Sequence, residues 1–138
     1  LEKNKKIDQQ VNTVSLFWET IGENMDQWRG VRVGNLSASE VRRDFIHTHV
    51  IILQALGHMG KDLLKQFPTN WKSKLKNLNK INWLKNNSIW QQRVIINGRV
   101  VKNNNSIILA SNVIKKALSI KLDAKEKALE SQVKKSGK

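Results

Sequence analysis

Three histidines, a dense charge cluster and five tryptophans are the residues of this chain whose types lend themselves to chemistry. His47 and His49 are two apart, which turns them about 200° from one another on a helix. His47 and His58 share a helical face, but at about 1.5 Å per residue they stand roughly 16 Å apart along the axis. No metal can join them alone. His47 and His58 therefore read as solvated or hydrogen-bonded residues on a polar strip, and His49, nearer the apolar positions, as a buried hydrogen-bonding residue. The chain has no cysteine, which removes thiolate nucleophiles, cysteine-bound zinc and iron–sulfur clusters together. No metal and no cofactor is expected. Gly57-His58-Met59-Gly60 has the look of a glycine-loop fragment but falls inside an apolar run, and there is no G-x-S-x-G, P-loop or dinucleotide fingerprint. Without an acid, base or metal cluster, the expectation is a protein that is not an enzyme.

The cluster Glu40, Arg42, Arg43 and Asp44 sits at helical spacing, with Glu40 and Arg43 able to pair at i, i+3, and reads as a surface ion-pair network at a helix start. Trp18 and Trp71 fall on apolar faces and are expected in the core. Trp28, Trp83 and Trp90 stand beside Arg29, Lys85 and Arg93. That arrangement suits stacking on bases or on a guanidinium, and equally suits packing of a small hairpin against helices.

Charge is the stronger signal. The formal net charge is +14, and it is unevenly placed: residues 1–60 hold seven Lys/Arg and seven Asp/Glu, whereas residues 61–122 hold thirteen Lys/Arg against the single acid Asp62. An excess of that density calls for a polyanion, and duplex DNA is the first candidate; the plain alternative is a lysine-rich solvated surface. The candidate phosphate contacts are Lys72, Lys76, Lys80, Lys85, Arg93, Arg99, Lys102, Lys115 and Lys116. No base-reading residue is assigned.

These side chains need elements to hold them. Ile7, Val11, Val14, Trp18, Ile21, Met25 and Trp28 alternate at spacings of four and three, which predicts a helix over about residues 5–25. The stretch from Asp26 to Leu36, with Gly30 and Gly34 and no helical period, reads as a loop or short irregular strand. Ser37 and Glu40 form a capping box. From there two adjacent apolar rows predict a central, mostly buried helix over residues 38 to about 66, with Gly57 and Gly60 allowing a close crossing or a kink. Pro68 stops it, and Thr69 or Asn70 can cap a short basic helix carrying Trp71, Leu75 and Leu78. Asn97-Gly98 between Arg93–Ile96 and Arg99–Lys102 predicts a tight hairpin. Ile107 to Leu109 reads as extended, followed by a helix capped by Ser111, and Asp123 with Glu126 marks a last helix ahead of a lysine-rich tail fraying by Ser136.

The expected fold is thus mainly α, a helical domain with a small β-hairpin near residues 93–102. Residues 1–122 are expected to form one domain whose basic half is 61–122, with residues 123–138 a C-terminal helix and tail. At 39% hydrophobic and 26% charged residues the chain has the composition of a folded protein, and no run approaches the roughly 20 apolar residues that span a bilayer. A reducing cytoplasm fits the lack of cysteine. The opening at Leu1 suggests a fragment or a processed product.

Several pieces taken in order carry a resemblance: Phe17-Trp18-Glu19, Gln27-Trp28, Arg42-Arg43-Asp44-Phe45-Ile46-His47, and Gln54-Ala55-Leu56-Gly57-His58-Met59-Gly60. Trp71, Leu75 and Leu78, Ile81-Asn82-Trp83, Trp90 with Arg93, Gly98-Arg99-Val100 and Ile114-Lys115 continue it. Together they resemble the C-terminal part of the DndB-like, or DGQHR-domain, proteins of bacterial DNA sulfur modification systems. The resemblance implies transcriptional control of the phosphorothioation genes, not sulfur transfer itself, and a bacterial, nucleoid-associated location. The chain departs from it at Asn82, where an acid is usual, and at Gln91-Gln92, where Glu-Gly is usual. It also lacks the Asp-Gly-Gln-His-Arg signature. The implication is that an N-terminal part is missing; DNA recognition located there would leave this chain as a dimerisation or structural module, with a homo-oligomer as partner.

Overall fold

A computed structural model of the chain describes residues 2–136. Among them are seven α-helices and one hairpin: α1 (Glu2–Glu23), α2 (Asp26–Arg32), α3 (Ala38–Asp44), α4 (Val50–Gln66), α5 (Trp71–Leu75), β1 (Ile95–Ile96), β2 (Arg99–Val100), α6 (Asn104–Ala117) and α7 (Ala124–Ser136). The mainly helical class with one small hairpin is the class the sequence predicts.

Only the C-terminal half of the α1 stripe is covered. Ile21 and Met25 are buried, as is Phe17 beside them, whereas Ile7, Val11 and Val14 are 50%, 57% and 54% exposed. Phe17 reaches across to α4 at Gly60, where any Cβ would collide with its ring. Glycine is there for the close approach, not for a kink.

Asp26 to Leu36 is not a loop or strand: α2 forms in it. This helix has no fully buried residue, so its sequence needs little apolar period and gives little. Its end folds back on itself, with the N–H groups of Asn35 and Leu36 both donating to the Gly30 carbonyl at 2.8 and 3.1 Å.

The single helix expected over residues 38–66 is two helices. Ser37 caps α3 as predicted, its Oγ accepting from the Glu40 N–H at 3.2 Å. At Phe45 the backbone turns extended (φ −118°, ψ 150°) and forms an antiparallel bridge with Leu84. Ile46 N–H donates to the Trp83 carbonyl at 2.8 Å, and Lys85 N–H donates to the Asp44 carbonyl at 3.0 Å. Those strand-like bonds take the place of helical ones, which is why the apolar period continues while the helix does not. α4 then occupies the centre as expected: Ile51, Ile52, Ala55, Leu56, Met59, Gly60 and Leu63 are all buried, and α6 is its principal neighbour.

After Pro68, α5 passes into a 3-10 turn, Lys76–Lys80. Trp71, Leu75 and Leu78 point inward, while Asn70 stands at the N-cap without a side-chain bond. The hairpin pairs Ile95 with Val100 and Ile96 with Arg99. Asn97 and Gly98 both lie in the left-handed region (φ 53° and 78°), the signature of a type I′ turn.

α6 corrects the remaining expectation. Asn103, not Ser111, is the cap, accepting from the Ser106 N–H at 2.8 Å, and Ile107 to Leu109 is helical. Packing against α4 overrides the strand preference of that apolar run. Ser111 is wholly buried in mid-helix. The helix closes in a Schellman arrangement with Ser119 left-handed (φ 60°), Ile120 N–H reaching the Lys115 carbonyl at 2.8 Å. The Asp123 and Glu126 capping box is present in both directions, at 2.8 and 2.9 Å. The fraying expected by Ser136 is not seen among the described residues, where α7 runs to Ser136.

Leu56 is fully buried in α4 whereas Leu53 is only partly so. Leu56→Ala should lower unfolding free energy by about 2–5 kcal/mol in urea titration. Leu53→Ala should cost clearly less; equal losses would place the centre of the core elsewhere.

Candidate functional site

Two of the nine predicted phosphate contacts lie in the interior. Lys115 is 0% exposed, and its Nζ donates to Asp62 of α4 and to Glu126 of α7. Burial draws its pKa down, but the hydrogen bonds to Asp62 and Glu126 outweigh it and leave the ammonium harder to deprotonate than an ordinary lysine. Arg93 makes a two-pronged pair with Glu130, the second prong at 2.8 Å, and donates to the Leu109 carbonyl at 3.1 Å. Glu130 also accepts from Lys116 at 3.0 Å and from Asn112 at 3.1 Å. Burial would raise its pKa, yet these donors, Arg93 foremost, hold the carboxyl at about 2. Arg93 and Lys115 are thus structural cations and withdraw from the contact set, because nothing in the sequence indicated acids 37 and 53 residues away. Lys116 is paired but remains 52% exposed.

His58, Asp62 and Glu126 bring three potential ligand atoms within 4.8 Å of one another, with His58 Nε2 3.3 Å from Glu126. Histidine spacing alone does not reveal that grouping. Its two carboxylates already share the Lys115 ammonium, which stands where a cation would.

His47 is not on a polar strip: it is 0% exposed, stacked on Trp83 at 5.2 Å with the rings 11° from parallel. Trp83 in turn stacks on Trp90 at 5.5 Å, and Trp28 and Phe45 pack beside the imidazole. Trp83 and Trp90 are buried, and their indole N–H groups donate to the carbonyls of Leu78 and Asn82 at 3.2 and 2.7 Å. Of the two readings for these tryptophans, packing is the one seen. Burial pushes the His47 pKa down to about 4. Its Nε2 lies 2.9 Å from the Gln27 amide oxygen, which only accepts, so the proton is assigned to Nε2. His49, expected to be buried, is half-buried, with Nε2 3.2 Å from the Arg42 carbonyl.

The remaining predicted contacts are on the outside. Lys72, Lys76 and Lys80 are exposed along α5 and the 3-10 turn, with the Lys72 ammonium 5.9 Å from the Trp71 ring. Arg99 and Lys102 are exposed at the hairpin. Lys85 is half-buried, and burial and then the charge of Arg42 pull its pKa down. The bridge between Phe45 and Leu84 brings Arg42 and Lys85 together, a pairing that sequence reasoning missed. Lys74, over the Phe67 ring at 4.2 Å, and exposed Lys61, Lys65 and Lys121 are further cations of the same segment. Their membership of the charged segment was the available signal.

The fold and its charges define a small helical domain with an ion-paired interior and a cationic exterior. The chain belongs to the DndB family of DNA-sulfur modification-associated proteins, whose family model matches residues 1–121. No curated protein and no solved structure matches it. No helix among the described residues is long and apolar enough to cross a membrane.

Two acid-labile elements act in separate windows. His47, depressed from 6.5 to about 4, contributes stability that is complete above 6.5 and is lost as pH falls toward 4. Glu130, depressed from 4.5 to about 2, contributes stability that is complete above 4.5 and is lost toward 2. Urea midpoints measured against pH should fall in two stages. His47→Phe should remove the upper stage and Glu130→Gln the lower; a single stage untouched by either change would refute the assignment.

Proposed function

We propose that this chain is a DNA-binding, non-catalytic regulator of DNA sulfur modification, acting on transcription of the phosphorothioation genes, and that its basic half meets duplex phosphates. The supporting observation is where the acids go. Residues 61–138 contain four acids, Asp62, Asp123, Glu126 and Glu130. Asp62, Glu126 and Glu130 are engaged by Lys115, Arg93 and Lys116, and Asp123 caps α7. Lys116 apart, the outer cations of this half are therefore left without ion pairs among the described residues, and a polyanion is the partner that neutralises them. Lys72, Lys76, Lys80, Lys85, Arg99 and Lys102 are the proposed contacts, with Lys116 in reserve. A location with the bacterial nucleoid follows from that partner.

Fluorescence anisotropy with a labelled duplex tests the reading. With about five phosphates neutralised, log affinity should fall against log salt with a slope of about −4 to −5. Alanine at both Arg99 and Lys102 should reduce the slope's magnitude by about 2 and leave the fold intact. Alanine at Lys5 and Lys6, in the charge-neutral segment, should change it little. Equal losses from both pairs, or no binding at low salt, would refute a phosphate site.

A second reading rests on the uncovered half of the α1 stripe. Ile7, Val11 and Val14 keep the spacing of a helical seam but are more than half solvent-facing or at that margin, at 50%, 57% and 54%. In that reading the chain is a dimerisation module of a DNA-sulfur modification regulator. Light scattering should then give twice the monomer mass, and Val11→Asp with Val14→Asp should halve it; a monomer at high concentration would eliminate this reading.

A further inference from the structure

Between α2, α3 and the start of α4 lies a cleft of about 370 Å³ lined by Trp28, Val31, Ala38, Arg42, Thr48 and Leu53. Its size falls at the lower end of small-molecule sites, which run from about 300 to 1,000 Å³ and are mostly apolar with a few convergent polar groups. The walls here are an indole and aliphatic side chains. Arg42 is the one charged lining residue.

Three things set this cleft apart from a packing fault. The first is a concentration of unmet polar atoms: Trp28 Nε1, His47 Nδ1 and Thr48 Oγ1 are buried and have no hydrogen-bond partner among the described residues. Trp28 and Thr48 line the cleft, and His47 is the chain neighbour of one and 6.2 Å, ring to ring, from the other. Buried polar groups are nearly always paired, so the two that line the cleft, Trp28 Nε1 and Thr48 Oγ1, point to a group that pairs with them; His47 Nδ1, bare because the proton is on Nε2, accepts and is no argument for an anion. The second is their kind. The Trp28 N–H and the Thr48 hydroxyl both donate, so an acceptor oxygen suits them. The third is Arg42, whose guanidinium forms no ion pair among the described residues; Asp44, two residues on, is taken by Arg43 at 3.0 and 3.1 Å.

We propose that this cleft binds a small aromatic anion, its flat apolar body against Trp28, Val31 and Leu53 and its carboxylate or phosphate on Arg42. A flat ring fills a narrow apolar space beside an indole with little loss of conformational freedom. Arg is the side chain whose planar fork matches either head group with two parallel hydrogen bonds. Of the cations assigned to DNA, Lys85 stands beside Arg42, whereas Lys72 and Lys76 lie on α5 and the turn that follows it.

Calorimetric titration of the whole chain without DNA, using dAMP and indole-3-acetate as the two probes, tests the site. At least one should bind at 1:1 stoichiometry, dAMP identifying a phosphate head group and indole-3-acetate a carboxylate. Arg42→Ala should weaken binding by about tenfold or more, the loss of one charge-assisted contact. Leu53→Trp should abolish binding by filling the cleft while keeping every charge, with circular dichroism confirming the fold. The Trp28 indole N–H resonance, assigned with Trp28→Phe, should shift on binding. Alanine at Lys72 and Lys76 should leave binding unchanged, which separates this site from the DNA contacts. No heat from either probe at millimolar concentration, or binding indifferent to both Arg42→Ala and Leu53→Trp, would overturn the proposal.

Discussion

An ammonium group with no exposure to water is tolerable only when opposite charge surrounds it, and Lys115 is such a group. Its partners come from two different helices, Asp62 on α4 and Glu126 on α7. α6, which carries Lys115, is therefore held between them at a separation fixed by hydrogen-bond lengths. Glu126 has a second duty, since its other oxygen accepts from the Asp123 N–H and sets the first turn of α7. One carboxyl thus joins the start of a helix to the neutralisation of a buried charge. One turn later Glu130 repeats the device with Arg93, which ties the segment ahead of the hairpin to the same helix pair. Breaking such a pair costs more than never having made it, because the remaining charge stays in the interior.

That internal arrangement decides the external one. Acids drawn inward by Lys115 and Arg93 cannot offset the lysines on the surface, so a chain whose second half holds few acids presents fewer still to solvent. The count of thirteen Lys/Arg to one acid in residues 61–122 overstates the free cations by Arg93, Lys115 and Lys116, which are ion-paired. It leaves out Glu126 and Glu130, beyond that segment, but at 3% and 7% exposure these offset little outside. Both corrections leave an outer surface on which Lys72, Lys76, Lys80, Arg99 and Lys102 have no acidic partner among the described residues. The proposed attraction to a polyanion rests on this exterior and not on the formal net charge.

The features legible in the sequence are those set by a few adjacent residues. Ser37 and Asp123 cap helices because their own side chains reach the backbone three residues on, and Asn97-Gly98 turns because both residues accept positive φ. The central burial of α4 was legible from its two apolar rows. What was not legible depended on residues far apart in the chain. The break at Phe45 to His49 exists because Trp83, Leu84 and Lys85 offer that backbone alternative bonds. His47 looks polar by helical position and is buried because the break removes it from the helix and sets it against Trp83. α2 escaped notice for the opposite reason: a helix with no fully buried residue, only Trp28 partly packed on the core, leaves little apolar period to read.

The same long-range pairing bears on where the folded unit ends. The family match stops at residue 121, before α7 begins at Ala124. Residues 1–121 alone contain Arg93 without Glu130 and Lys115 with Asp62 only, and Asp62 is itself 32% exposed. Such a segment would hold one largely covered guanidinium without its carboxylate and one buried ammonium with half its partners. α7 supplies both missing acids from successive turns and buries Leu129 between them and the rest of the chain. The charge balance of the matched region is thus completed by residues outside it, and the cationic surface ascribed to that region depends on an interior that α7 helps to neutralise.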